Sequence, residues 1–178
     1  MIYYGARQLA DAFRTVRNNT ITIAEEIPEE QYGFRPVLQV RSAGEMLAHI
    51  AVAPRFSLSL HGERITHVDF ERFGRAVARA ATDEQALRTK DAIVSALRDG
   101  GDEFVTFLEG LSEEALAEQI TFPAPVQPPV KSRLEMILGA KEHEMHHRAQ
   151  LMLMQRLMGI VPHITRRREA MTAQAGRI

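Results

Sequence analysis

Ser132-Arg133-Leu134-Glu135, continuing through Glu142-His143-Glu144-Met145-His146-His147-Arg148-Ala149-Gln150 to Met158-Gly159, is the stretch from which the fold is read. Ser132 with Glu135 three residues later forms a capping box. The hydroxyl accepts the N3 amide and the carboxylate reaches back to the N-cap amide, so a helix begins there. Each helical residue turns about 100°. Met136, Ala140, His143, His147, Leu151 and Met154 then share one inward-looking stripe. His143 and His147 are four apart, about 40° on one face, and imidazoles at this spacing can reach one ion without distorting the helix.

Three more long segments read as helices. The first runs from about Tyr4 to Ile27, with Leu9, Phe13, Val16, Ile23 and Ile27 on its apolar stripe and Pro28 ending it. The second opens on another capping box, Ser42 to Glu45, and buries Ala43, Met46, Leu47 and Ile50. Pro54 removes the amide that would bond the Ile50 carbonyl, so a bend is expected one turn after His49, with the helix ending near His61-Gly62. Glu63 to Ala81 reads as loop with partial helix. The third long helix begins at Asp83 or Lys90 and stops at Gly110, and Gly100-Gly101 in its middle points to close packing against a neighbour. Ser112 to Gln119 reads as a short helix. Thr121 to Pro129, with Pro123, Pro125, Pro128 and Pro129, reads as an extended crossing segment. The tail carrying Arg166-Arg167-Arg168 reads as basic and exposed. The expectation is an all-α four-helix bundle, one domain over 1–178, with short extra helices and a Pro-rich crossing segment.

Composition narrows the function. Lys+Arg 22 against Asp+Glu 23 gives a net charge of −1, which argues against nucleic-acid binding driven by bulk charge. There is no cysteine, so disulfides, thiolate ligands and a protein thiol nucleophile are all excluded. Met1-Ile2-Tyr3-Tyr4-Gly5-Ala6-Arg7 does not have the form of a signal peptide, and no apolar run reaches the roughly 18 residues of a membrane helix. The expected location is the cytoplasm, with no membrane partner.

Two histidines at i, i+4 arise readily by chance in a chain with seven. Three features favour a metal site. The pair sits on an apolar stripe, an unpaired buried imidazole is costly, and His49 lies beside Met46 and Ile50 on the inward side of another helix. His146 is turned about 100° from His147 and is expected near the surface. Gln150 lies close to the direction of His143, where it could orient a ligand or hold a substrate polar group. His61, His67 and His163 are expected at the surface. His143-Glu144-Met145-His146-His147 also fits H-E-x-x-H, the zinc-peptidase pattern with Glu144 as base. Gln150 and Leu153 break its longer form, Glu169 lies in the basic tail, and no strand is evident to pair with a peptide. On the non-peptidase reading Glu144 is turned away from the metal, towards solvent or a neighbouring helix, and as an exposed charge its replacement should cost less than about 0.5 kcal/mol.

Taken together, Ile27-Pro28-Glu29-Glu30-Gln31-Tyr32 with Phe34-Arg35-Pro36, Ser42 to Ile50, His143 to Leu151, and Arg156-Leu157-Met158-Gly159 resemble the DinB/YfiT-like family of metal-binding four-helix proteins, distinct from the DNA polymerase of that name. Ala149 departs from the glycine of many relatives. The resemblance implies an up-down-down-up bundle and one divalent ion (zinc, nickel or iron) on His49, His143 and His147. It also implies a homodimer, and chemistry akin to thiol-dependent S-transferases and isomerases. Three neutral imidazoles leave the ion its full charge and an open position, where a water or thiol loses its proton more easily. With no cysteine in the chain, the thiol would be a small cosubstrate acting on an electrophile. The alternatives are a metal-dependent hydrolase and a non-enzymatic, stress-related binding protein stabilised by its metal.

Overall fold

In the computed structural model, which describes residues 4–175, the long helices are α1 (Ala6–Glu26), α2 (Ala43–Val52), α3 (Pro54–Gly62), α4 (Phe70–Ala86), α5 (Lys90–Glu109) and α7 (Arg133–Leu157). A short α6 (Glu113–Ala117), a two-stranded sheet of β1 (Gln119–Thr121) and β2 (Val130–Ser132), and a final α8 (His163–Ala175) complete the chain. Met1, Ile2 and Tyr3, on which the reading of the N-terminus rests, lie outside the described residues.

The bundle consists of α1, α2, α5 and α7, and cross-contacts fix its directions. Arg14 reaches Glu109 while Glu25 pairs with Arg98, so α1 and α5 are antiparallel. Arg17 meets Glu144 and Glu26 faces Gln155, so α1 and α7 are parallel. His49 meets His143, and His61 further along the chain meets Arg133, so α2–α3 runs against α7. The result is up-down-down-up. Because α2 and α5 point the same way, the chain must return between them; α3 continues the course of α2 and α4 makes that return, its Glu84 coming back beside His49.

Both capping boxes form. Glu45 N–H donates to Ser42 Oγ at 3.2 Å, and the Glu135 carboxylate accepts the Ser132 amide at 2.6 Å. Pro54 turns the expected bend into a division between α2 and α3 at Ala53, with proline at the first position of α3, where its missing amide is harmless. The Ile50 carbonyl that loses its partner accepts Arg17 Nη2 instead, at 3.3 Å. Gly100 and Gly101 leave α5 unbroken and permit close packing. A Cβ on Gly101 would stand 2.8 Å from Arg17 Cγ.

Three expectations are corrected. Glu63 to Ala81 is largely helix, since α4 begins at Phe70, capped by Asp69. It has no buried residue, so its apolar positions give no core-facing stripe that reads as helix. The Pro-rich stretch is the loop of an antiparallel hairpin pairing Gln119 with Ser132 and Thr121 with Val130, not a free crossing segment. The basic tail is exposed, as expected, and forms α8, tied back by His163 to Asn19 Oδ1 at 3.0 Å. On α7 the residues that enter the core are Ile137, Glu144, Leu151, Met154 and Gln155, whereas Met136, Ala140, His143 and His147 are half-buried.

Two apolar clusters fill the bundle, one around Ile23, Leu47, Ile50, Leu97 and Leu151, the other around Phe13, Phe104, Leu108 and Ile137. Between them Arg17 and Glu144, each 2% exposed, form a buried ion pair. Arg17 Nε donates to Glu144 Oε1 at 3.0 Å and Nη2 to Oε2 at 2.9 Å, while Nη1 donates to the Leu97 carbonyl at 2.8 Å. Among the described residues no helix is long and apolar enough to cross a membrane.

Candidate metal centre

His49 projects from the last turn of α2, and His143 and His147 from consecutive turns of α7, where the two helices run antiparallel. His143 Nε2 lies 3.0 Å from His49 Nε2 and 3.2 Å from His147 Nε2. The rings stand steeply to one another, 63° to 88° between planes. With metal–nitrogen bonds of about 2.05 Å, those two separations subtend about 95° and 105°, between octahedral and tetrahedral angles.

Hydrogen bonds behind the rings fix which nitrogen carries the proton. His49 Nδ1–H donates to Glu84 Oε1 at 2.6 Å, and His147 Nδ1–H donates to Gln150 Oε1 at 2.8 Å. A carboxylate only accepts, so His49 Nε2 bears a lone pair, and the same holds for His147 opposite the amide oxygen. Two lone pairs therefore converge on His143 Nε2, which could donate at most one hydrogen. Three such nitrogens this close are placed to share a cation. Burial, aided by the neighbouring histidines, pushes His143 down to about 4, and burial lowers His147 as well. Of the described His, Cys, Asp and Glu side chains, His49, His143 and His147 form a group placed to hold an ion.

Gln150 therefore sits behind a candidate ligand and orients it. His146 is exposed, 3.4 Å from Gln150 Nε2. Sequence reasoning missed Glu84. It reaches His49 from α4, thirty-five positions away, and its other oxygen faces Arg41 Nη2 at 3.6 Å. A carboxylate behind a ligating histidine holds the ring and raises its basicity. No local spacing could have pointed to it, because the pairing exists only when α4 packs on α2. Glu144 is corrected in the opposite sense. It is not a solvent-facing residue but a buried partner of Arg17, and it points away from the three imidazoles, which removes the peptidase base. Glu169 is exposed on α8, far along the chain from any ligand role. His61 is also not at the surface. It is 1% exposed, with Nδ1 facing Arg133 Nη1 at 2.9 Å, and burial holds it down at about 4.

His49 and His143 form one end of a cleft of about 770 Å³. Its walls are largely apolar, with Val52, Phe56, Phe73, Val77 and Met136, and Arg55 and Asp83 pair with each other at its side. This is the size and character of a small-molecule site.

Comparison with known proteins agrees with this architecture. YjoA, an uncharacterized protein of Bacillus subtilis (strain 168), is 28% identical over 154 residues, 86% of this chain and 91% of its own. The crystal structure of that DinB-like protein superposes with a TM-score of 0.63 at 25% identity, covering 85% of this chain and 92% of the other. YfiT from Bacillus subtilis, described as a probable metal-dependent hydrolase with an unusual four-helix bundle topology, shares the fold with a TM-score of 0.65. At 14% identity over 90% of this chain and 91% of that one, the likeness to YfiT is one of fold. The DinB superfamily pattern itself matches residues 12–151, a span that includes all three clustered histidines, and the chain belongs to that superfamily.

Proposed function

We propose that the chain is a divalent-metal-dependent enzyme in which His49, His143 and His147 hold the ion at the end of the cleft. A low-molecular-weight thiol is the cosubstrate and a small electrophile receives its sulfur. The observation that carries the reading is the convergence of three Nε2 atoms, two of them fixed as lone pairs, at 3.0–3.2 Å beside an open, apolar cleft. Zinc, nickel and iron all suit imidazole ligands. When bound, the ion supplies an undiminished +2 charge and an open coordination position, which lowers the cost of removing a proton from a thiol or water.

The chain's own residues do the rest. Glu84 and Gln150 hold two imidazoles in one tautomer and orientation. Phe56, Phe73 and Val77 give the cleft an apolar wall that seats an apolar electrophile. In the transfer the thiol releases its proton to solvent, its sulfur forms a bond to the electrophilic carbon, and the leaving group departs with the bonding pair. No cysteine of the protein competes for the electrophile.

Hydrolysis is the second reading, favoured by the description of YfiT as a probable metal-dependent hydrolase. It needs a base for water, and the two carboxylates beside the cluster are engaged, Glu84 with His49 and Asp83 with Arg55. Elemental analysis of the purified protein, followed by thiol consumption with a haloarene and acid release from an ester panel, separates the readings. Metal-loaded protein should consume thiol faster than stripped protein, and His49→Ala should lose both metal and rate. Loaded protein that never outpaces stripped protein across a broad thiol and electrophile panel overturns the transferase reading. Metal-dependent acid release without thiol establishes the hydrolase. A full equivalent of metal in the triple His→Ala variant overturns the site.

A further inference from the structure

The cleft that begins at His49 and His143 has a second polar feature at its other end, His61. Arg133 stands ten residues before His143 on α7, and His61 twelve residues after His49 on α2–α3. At 1.5 Å per residue both helices place the two features about 15–18 Å apart. His61 is 1% exposed, and its Nδ1 faces Arg133 Nη1 at 2.9 Å. A guanidinium can only donate, so His61 Nδ1 is the acceptor and the hydrogen resides on Nε2. Arg133 is itself fully buried and pinned, with Nη2 donating to Glu118 Oε2 at 2.6 Å and to the Ile65 carbonyl at 3.1 Å. The ring is thus locked from behind. Its Nε2–H has no protein hydrogen-bond partner among the described residues, although His61 lines the cleft. The atom is not among the fully buried unpaired polar atoms, so this N–H meets the cleft itself, where a ligand acceptor can take the place of water.

Between the two ends α7 presents Gly139 and Ala140 to the cleft. Gly139 is one turn before His143 on the same face. A Cβ built there would meet nothing within 4 Å, so the groove is open at this point because no side chain fills it. Glycine in a helix interior is unfavourable relative to alanine, and here no packing contact requires it.

We infer that the far end of the cleft is a subsite for a neutral hydrogen-bond acceptor, a carboxamide or ketone oxygen at the end of an elongated, mostly apolar substrate. His61 Nε2–H is the donor and Gly139 sets the length of molecule admitted. The subsite rests on reading the cleft as the substrate cleft, but its test does not depend on turnover. An acceptor oxygen pairs with the locked N–H, whereas an ammonium group, which can only donate, gains nothing from His61, and its one carboxylate partner in the cleft outside the Arg55–Asp83 pair is the exposed Glu103.

The test is binding of 4-phenylbutanamide and of 4-phenylbutylammonium, probes with the same apolar body, to metal-loaded and metal-stripped protein by ligand-observed NMR and calorimetry. The amide should bind both forms, and the ammonium several-fold more weakly. His61→Phe keeps the ring shape and removes the donor. It should reduce amide affinity by about two- to tenfold, the range for one neutral hydrogen bond, and bring the probes to parity. Gly139→Leu should retain metal and melting temperature while losing more than about tenfold in amide affinity, and it keeps the proposal testable if His61→Phe fails to fold. Equal binding of the two probes, binding of neither, or an unchanged amide preference in a folded His61→Phe protein overturns the subsite. Amide selectivity in stripped protein that shows no transferase activity once loaded leaves the subsite standing and removes the functional reading alone.

Discussion

Replacing Glu144 by Gln should be among the most damaging single-atom changes available outside the three clustered histidines. The carboxylate is 2% exposed and takes two donors of Arg17, which is equally buried between the two apolar clusters. Arg17 cannot retreat to water. Nη1 is held by the Leu97 carbonyl, Nη2 also reaches the Ile50 carbonyl freed by Pro54, and Gly101 closes on its aliphatic stem. The variant therefore leaves a guanidinium buried without a counter-charge. Breaking a buried pair in this way costs about 3–5 kcal/mol. The glutamine oxygen still accepts one N–H, which places the expected loss near the lower end, about 3 kcal/mol, or about 6–12 °C in melting temperature for a chain of this size. Urea unfolding and calorimetry on stripped protein are the assays, since bound metal would add its own stabilisation to the native state. Arg17→Met completes a double-mutant cycle, in which the two changes together should cost clearly less than their sum. A loss below about 1 kcal/mol, or additive effects, would refute the buried pair and with it the orientation of α7 that points His143 and His147 at His49.

Glu84→Gln should retain the fold but weaken metal binding by about 10- to 100-fold, measured by chelator competition, because His49 loses its orienting carboxylate; unchanged affinity would remove Glu84 from the site. Gly101→Ala should lose about 1–3 kcal/mol in denaturant titration despite its better helix propensity, since its Cβ meets the pinned stem of Arg17, whereas Gly74→Ala in α4 meets open space and should stabilise slightly. His61 and His143 are held near 4 in the folded chain against an ordinary 6.5, so the unfolded chain binds more protons between those values. Stability of stripped protein should thus be level above about pH 7 and fall as the pH drops from 6.5 through 4, and His61→Phe should flatten part of that slope; a pH-independent melting temperature would contradict the burial of both rings.

The local signals in the chain determined the long helices. Ser42–Glu45 and Ser132–Glu135 set two helix starts through bonds made within four residues, and Pro54, Gly110 and Gly159 set breaks and ends by backbone chemistry alone. The His143–His147 pair was legible for the same reason, since helical spacing is a local rule. Segments whose state depends on distant partners were not legible. α4 has no buried residue and leans its apolar positions on the cleft, and β1 and β2 exist only as each other's partners across a Pro-rich loop. Charges misled most. Glu144 and His61 read as surface residues because burying such groups is normally costly, and they are buried here because each finds its counterpart on another helix. Sequence by itself determined which residues could be ligands and on which helix face they lie. Only tertiary structure decided that His49 arrives within 3.0 Å of His143, that Glu84 stands behind it, and that the rings open onto a cleft. Those facts depend on the packing of α2, α4 and α7 against one another, and no short-range pattern encodes the distance between helices that meet only in the folded chain.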